Sequence, residues 1–503
     1  MNQRLQWIID RFPLIVFMGM YVFSCYIGVL LLLTSGRFWA WTNLLSAPQL
    51  GSLDRRTLTT LLVLLHGGPV LFWLGYEAGL LLWRRCRRRY PVFEALEPRN
   101  LLRPVAALYL GTIAAAVISL ARADAFSNLT AWTDYFTYVR VRFHLFSVLS
   151  HFEFVNIYTW LPLASALVLI LRRRWWYQVG VFGILGFLEL SLFQKRPFLT
   201  GIVMICAALG AYWFLGRAPR RPIKLRLWFP AAVALCAGLY LVNAALMLRL
   251  VLSPSTQALA LEKEKDELEV AAAPMPSGSV PGTDKEGGSA GTIGTSATFQ
   301  VAGKELPALV SFDRHAVPPR TGQAVALYVF FAPLTRTSVP AIAYAEAFPD
   351  RIPYYHLDLA LDILGIGRMP DDNRVVSRLI WPGQKGASAV AVPFHFALFS
   401  QGGIGIALLG ALLAGAAIGV MWYALSAANQ LSISGSLAAS LVLILAWMIS
   451  TDSLRNALLA SYGVLWGAVP VVLIWALEHL KNSRLRLAVS RDATPGRNAP
   501  VRE

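Results

Sequence analysis

Long apolar runs alternate with short polar segments along nearly the whole chain. Ten runs suit helices crossing a bilayer: residues 12–34, 58–83, 104–122, 152–171, 176–194, 197–216, 227–252, 402–425, 435–451 and 458–479. Crossing about 30 Å of hydrocarbon takes roughly 20 helical residues. The pattern predicts an all-α polytopic membrane protein of about ten transmembrane helices. The short alternation that marks a membrane β-barrel is not what the chain shows. The first run is long and lacks a small-residue cleavage site, so it reads as a retained span and not a signal peptide.

The polar segments orient the spans. Arg84, Arg85, Arg87, Arg88 and Arg89 follow the second run, and Arg172, Arg173 and Arg174 follow the fourth. Arg217, Arg220, Arg221, Lys224 and Arg226 separate the sixth and seventh, and Lys481, Arg484 and Arg486 follow the tenth. Simple alternation puts all four clusters on one face. The positive-inside rule makes that face cytoplasmic, with both termini on it.

Four regions follow. Residues 1–252 form an N-terminal bundle of spans 1–7, and 253–401 a large loop on the outer face between spans 7 and 8. Residues 402–479 form a C-terminal bundle of spans 8–10, and 480–503 a cytoplasmic tail. Within the loop, 259–270 is charged and helix-permissive, and 271–297 is a Gly/Ser/Pro/Thr-rich linker expected to be disordered. Residues 299–312 suit short strands. Residues 323–348 hold two short apolar stretches, the second amphipathic, expected at the membrane surface or capping the spans. No internal repeat suggests a transporter built of inverted halves.

Composition agrees with the pattern: 503 residues, 56% hydrophobic and 15% charged, with mean hydropathy +0.54. The net charge of +17 sits in clusters flanking apolar runs, as topology signals and lipid contacts do, which points to membrane and not to nucleic acid. The four cysteines lie in or beside apolar runs, so no disulfide framework is implied.

Candidate chemistry gathers on the outer face. Lys195-Arg196-Pro197 joins two spans at a turn where basic residues are uncommon, and suggests a site for an anion. Glu189 lies seven residues, nearly two helical turns, before Arg196, so both should point the same way about 10 Å apart. The segment 132–144 mixes aromatics with Arg140 and Arg142, which suit either an interfacial belt or phosphate. In the loop, Arg336 interrupts an apolar context, and Arg351 lies among alternating acids and bases. His395 leads toward the eighth span and is the best-placed group for proton transfer near neutral pH. Asp371-Asp372 lacks the Asp-x-Asp spacing of metal-dependent sugar-nucleotide transferases, so no metal is assigned. His66 precedes Gly67-Gly68-Pro69, where the proline should kink the helix and His66 could satisfy a freed carbonyl.

Three stretches, in this order and sidedness, resemble the bacterial oligosaccharide repeat-unit polymerases of the Wzy type, which build O-antigen or exopolysaccharide. They are FQKRPFLTG at 193–201, LTRTSVPAIAYAEAFP at 334–349 and PFHFALFSQGGIGIALLGALLAG at 393–415. The resemblance implies a glycosyltransferase of the bacterial inner membrane. It would join polyprenyl-pyrophosphate-linked oligosaccharide repeats at the periplasmic face, without cofactor or metal. It implies Arg336 and His395, or a loop carboxylate in place of the histidine, as catalytic groups. Lys195, Arg196, Arg140 and Arg142 would bind pyrophosphate, with Glu189 and Arg351 in support. Membrane lipid, a chain-length regulator and a flippase of the same pathway would be partners. An O-antigen ligase or polyprenyl-phosphate-sugar transferase remains an alternative, as do a transporter or flippase for lipid-linked glycans and a non-catalytic scaffold of a polysaccharide assembly complex.

Overall fold

The computed structural model describes residues 3–34, 47–49, 53–85, 101–128, 141–142, 144–145, 147–172, 174–192, 195–215, 298–301, 304–307, 311–313, 337–356, 372–380, 390–427, 431–459 and 463–479. The run 227–252, the linker 271–297 and the tail 480–503 lie outside these residues.

The described core is helical. In chain order it contains α1 (Gln3–Asp10), α2 (Phe12–Thr34, with a π turn at Val22–Tyr26), α3 (Arg55–Arg85) and α4 (Leu102–Arg122). Then come α5 (His151–Leu171, with a π turn at Asn156–Trp160), α6 (Trp175–Leu190), α7 (Lys195–Leu215), α8 (Ser338–Ala347) and α9 (Asp372–Ile380). The chain continues through α10 (Phe394–Ser426), α11 (Ile433–Thr451), α12 (Leu454–Leu458) and α13 (Ala468–His479). Short antiparallel strands pair β1 (Ala47–Gln49) with β4 (Ser311–Asp313), and β2 (Thr298–Val301) with β3 (Lys304–Pro307). Six of the described helices, α2, α3, α4, α5, α10 and α11, are long and apolar enough to cross a membrane. The apolar segment Leu199–Leu215 of α7, and α13, are shorter.

The helix ends sort into two groups. Asp10 and Arg11, at the start of α2, pair with Arg84 and Glu77 near the end of α3. The Trp422 indole donates to the Ile9 carbonyl, Leu431 donates to Leu215, and Glu478 accepts from Ile433 and Ser434. We call this the arginine end. At the opposite, loop end, Arg122 pairs with Glu153, and Arg56 with Asp350. α2 and α3 are therefore antiparallel, as are α4 and α5, and α11 with both α7 and α13.

Two packed halves meet at α11, which lies against α7 on one side and α2 on the other. The larger half joins α4–α7 with α11. The other joins α2, α3, α8, α9 and α10, and the arginine-end parts of α2, α3 and α10 also pack into the larger core. Within this second half α3 and α10 run parallel, with backbones pressed together through Gly75-x-x-x-Gly79 and Gly415-x-x-x-Gly419. A Cβ on any of these glycines would meet carbonyl oxygen of the facing helix. Small residues at this spacing let helices approach closely in lipid, where packing and not hydrophobicity drives association.

Pro69 lies inside α3 and cannot donate to the Leu65 carbonyl four residues earlier. The Tyr21 hydroxyl donates to that carbonyl at 2.8 Å. The expectation for His66 is thereby corrected: its Nδ1 contacts the Leu62 carbonyl and its Nε2 the Tyr26 hydroxyl. Tyr21→Phe should lower stability by about 1–3 kcal/mol, the usual loss when a buried acceptor is left unmet. In a Pro69→Ala background, where the restored backbone N–H can donate to the Leu65 carbonyl, the same change should lose clearly less. Unfolding curves of the four detergent-solubilised proteins test this, and equal losses in both backgrounds would refute it.

α10 is not one straight helix. Gly402 (φ 179°, ψ 28°) and Gly403 (φ 79°, ψ −168°) break it into arms 394–401 and 404–426. On a straight helix His395 and Leu408 would be about 20 Å apart, yet they face the adjacent glycines Gly68 and Gly67. Leu398 likewise reaches Gly410. The chain therefore reverses at the glycines into a helical hairpin. The short arm dips back beside α3, to about 20 Å below Arg55 along the helix. Gly403 has a positive φ that suits glycine, and the Tyr354 ring sits 3.2 Å from where its Cβ would be.

α8 corrects a second expectation. Its sequence SVPAIAYAEA is apolar or small on every side, and all its residues but Glu346 are buried. A helix apolar all round belongs inside, and α8 lies among α2, α3, α9 and α10, not at a membrane surface. Pro340 falls in its first turn, where its missing N–H has no partner to lose. The Thr337 and Ser338 hydroxyls donate to the carbonyls of Ser24 and Cys25, in the π turn of α2. That turn lies about midway along α2, so α8 starts deep in the bundle and rises to the loop end.

Candidate functional site at the loop end

Two short helices thus enter the bundle from the loop end, α8 and the hairpin arm 394–401. Around them lies a strip of buried polar side chains. The Ser400 hydroxyl donates to Asp372 Oδ2 at 2.8 Å, and the Asn373 amide to Asp372 Oδ1 at 2.9 Å. The Gln401 amide donates to Ser400 Oγ, and the Tyr344 hydroxyl to Asn373 Oδ1. Asp372 is 2% exposed and Gln401 4%, and the Gln401 Oε1 acceptor has no hydrogen-bond partner. Buried polar groups are normally satisfied, so an enclosed, unmet amide carbonyl beside an enclosed carboxylate marks this strip as a candidate site for a hydroxyl-bearing ligand.

Above the strip, toward the loop end, is a rim of charge. The Tyr355 amide donates to the Ser400 carbonyl, which ties the rim to the hairpin tip. Arg56 pairs with Asp350 at 2.6 Å, both well exposed, and Arg351 with Glu346 at 2.7 Å, both partly buried. The Thr57 side chain and amide bond the Asp54 carboxylate and hold its pKa below the usual value. Of the described carboxylates in this unit (Asp54, Glu346, Asp350 and Asp372), only Asp372 is enclosed.

Burial pushes the Glu346 pKa up, and Arg351 opposes the shift. A carboxyl raised in the folded state binds its proton more tightly there than in the unfolded chain. Its contribution is fully present below the unfolded value near 4.5 and is lost as pH rises through the folded value. Glu346→Gln should therefore remove the part of the Tm decline that begins just above pH 4.5. At pH 7 it should change stability by less than about 1 kcal/mol, since it discards a partly solvated ion pair together with the burial of its charge. Melting curves from pH 4 to 8 check this, and an unchanged pH profile would refute it.

The candidate residues read from the sequence divide between the two halves. His395 and Arg351 belong to the α8–hairpin unit. Arg336 lies outside the described residues, one residue before the anchored Thr337. The His395 ring is fully buried against Gly68, Tyr21, Phe394 and Phe396. Neither of its nitrogens makes a hydrogen bond, although the Leu64 backbone is near. The ring is a packing element where the structure places it.

Glu189, Lys195, Arg196 and Arg142 belong to the other half. One helix does not run through Glu189 and Arg196: α6 ends at Leu190 and α7 begins at Lys195, so the shared-face expectation fails. Glu189 is fully buried beside Gly201 and Pro162, and Gly201 leaves the space its carboxylate fills. Arg142 is exposed. Arg140 lies outside the described residues, as do the side chains of Lys195 and Arg196.

Sequence reasoning missed Asp372, Ser400 and Gln401. The acids and bases around Asp372 resemble a solvated surface. What sets it apart is the buried face of α9 that follows, with Val375, Val376, Leu379 and Ile380. No protein-family pattern, no characterised protein and no solved structure matches this chain.

Proposed function

We propose that the chain is a membrane glycosyltransferase that polymerises polyprenyl-pyrophosphate-linked oligosaccharide repeats at the periplasmic face of the bacterial inner membrane. In this reading it has ten spans, both termini are cytoplasmic and the loop 253–401 faces the periplasm. The observation that carries the reading is the Asp372–Ser400–Gln401 strip, enclosed at the loop end beneath a rim bearing Arg56 and Arg351.

Transfer needs a base and a site for departing charge. A hydroxyl of the acceptor sugar attacks the anomeric carbon of the donor sugar, forming the new glycosidic bond. The bond from that carbon to the diphosphate oxygen breaks, and its electron pair leaves with the lipid diphosphate. The hydroxyl proton passes to Asp372, the loop carboxylate that replaces His395 in this role, and then to solvent. Arg351 and Arg56 at the rim meet the developing charge; guanidinium binds phosphate oxygens in pairs and stays charged. Gln401 Oε1 accepts from a second sugar hydroxyl.

Polymerisation also involves two lipid diphosphates, one on the donor and one on the acceptor. The second basic group, Lys195, Arg196, Arg140 and Arg142, suits the lipid diphosphate that does not react. Deleting the gene in its host tests the function. Single lipid-linked repeats should accumulate, whereas unchanged long chains would end the proposal.

A further inference from the structure

At the arginine end, away from the strip, a cavity of about 560 Å³ opens between α1 and the ends of α3 and α10, lined by Gln6, Asp10, Arg84, Tyr423, Ser426 and Ala427. We infer that this cavity seats the phosphate of an anionic phospholipid from the adjoining leaflet. The inference is independent of the transfer reaction.

α1 fixes the level of the cavity. Its residues Gln3, Gln6 and Asp10 follow helical spacing along one side, while Leu5, Trp7 and Ile8 are exposed apolar side chains. A short helix of this kind, joined directly to a span at Phe12, suits the interface, with its apolar side chains toward the acyl chains. The polar side, and the cavity beneath it, then stand at headgroup depth.

The charges facing the cavity are arranged for an anion. Asp10 is 5% exposed and engaged: it accepts from Gln6 Nε2 at 2.6 Å and from Arg84 at 3.1 Å. Its charge serves to hold Arg84 in place. The Arg84 guanidinium also lies 5.3 Å over the Tyr423 ring, so it is oriented from two sides yet remains 43% exposed. A guanidinium has five N–H donors, and the Asp10 contact uses one. Glu77, about two turns back on α3, is closed in a two-bond pair with Arg11. Arg4 and Arg85 stand exposed on the same two helices. A phosphate entering here meets an oriented guanidinium, with the Ser426 hydroxyl and the Gln6 amide on the wall. Pockets of this composition between helix ends recognise lipid headgroups, each basic residue adding about 1 kcal/mol.

The test uses the full chain purified in detergent, with phosphatidylglycerol, phosphatidylcholine or inorganic phosphate added, and native mass spectrometry and melting as readouts. Phosphatidylglycerol should be retained and should raise the Tm; phosphatidylcholine should do neither. Arg84→Ala should weaken retention about five- to tenfold, in line with the loss of one basic contact. Ala427→Glu puts a negative charge on the wall and leaves the Arg84–Asp10 contact intact, so it should weaken retention as much without unfolding the protein. Equal retention of the two lipids, or undiminished phosphatidylglycerol binding by Ala427→Glu, would overturn the inference. Displacement by millimolar inorganic phosphate with no preference between the lipids would show a soluble phosphate site and overturn the lipid assignment.

Discussion

Asp372→Asn is expected to abolish chain elongation while the protein still folds. The substitution keeps the size of the side chain and one of its two acceptor oxygens, so the link to either Ser400 or the Asn373 amide survives. It removes the only group in the strip that can take a proton from a sugar hydroxyl. Loss of a general base lowers turnover by about 10²- to 10⁴-fold, or roughly 3–5 kcal/mol of barrier. The effect should fall on kcat, with KM for the lipid-linked acceptor little changed, because binding rests on the arginines and Gln401. Ser400→Ala is the structural control. It loosens the same carboxylate without removing it, and should lower the Tm more than the rate. Reconstituted protein supplied with lipid-linked repeats gives both constants. If Asp372→Asn polymerises at the wild-type rate, the strip is not the reaction centre and the hairpin is only a packing device.

Much of the helical core is legible in the sequence because a bilayer imposes one rule on every span. The runs 12–34, 104–122, 152–171 and 435–451 reappear as α2, α4, α5 and α11 with ends moved by no more than two residues. The Arg84–Asp10 and Arg11–Glu77 pairs set α2 and α3 antiparallel, as spans that follow one another should be. The loop misleads because periodicity cannot report on surroundings. α8 is too short to span and so reads as superficial, yet its lack of a polar face is what sends it inside. The hairpin hides for the opposite reason. Residues 394–401, which the pattern leaves to the loop, run straight on into the span at 402–425, and only Gly402 and Gly403 hint at a reversal. Which glycine turns a chain and which lets helices touch depends on facing backbone, and that is set by residues hundreds of positions away. His395 misleads in the same manner: a histidine next to a loop looks available for chemistry, but the hairpin carries it down against Gly68.

The glycine contact between α3 and α10 carries the second large effect. Gly75→Ala and Gly415→Ala should each sharply reduce the amount of folded protein. A methyl at Gly75 meets the Leu412 carbonyl and one at Gly415 meets the Phe72 carbonyl, both backbone atoms that cannot rotate aside. The helices must separate, and each overpacked contact of this kind loses about 1–3 kcal/mol or more against a total of about 5–15 kcal/mol. Gly111→Ala and Gly180→Ala are the controls. Each lies in a helix with nothing within 4 Å of the new methyl, so each should be neutral or stabilising by up to about 1 kcal/mol through helix propensity. Membrane yield and unfolding of all four variants separate the two groups. Separation of α3 from α10 would also shift the long arm on which Gly403 and the hairpin tip depend. Any Gly75→Ala protein that survives should therefore elongate chains poorly even where its fold is rescued by lower temperature. If all four alanines behave alike, the two helices do not touch through their backbones, and the register that brings Ser400 to Asp372 must have another source.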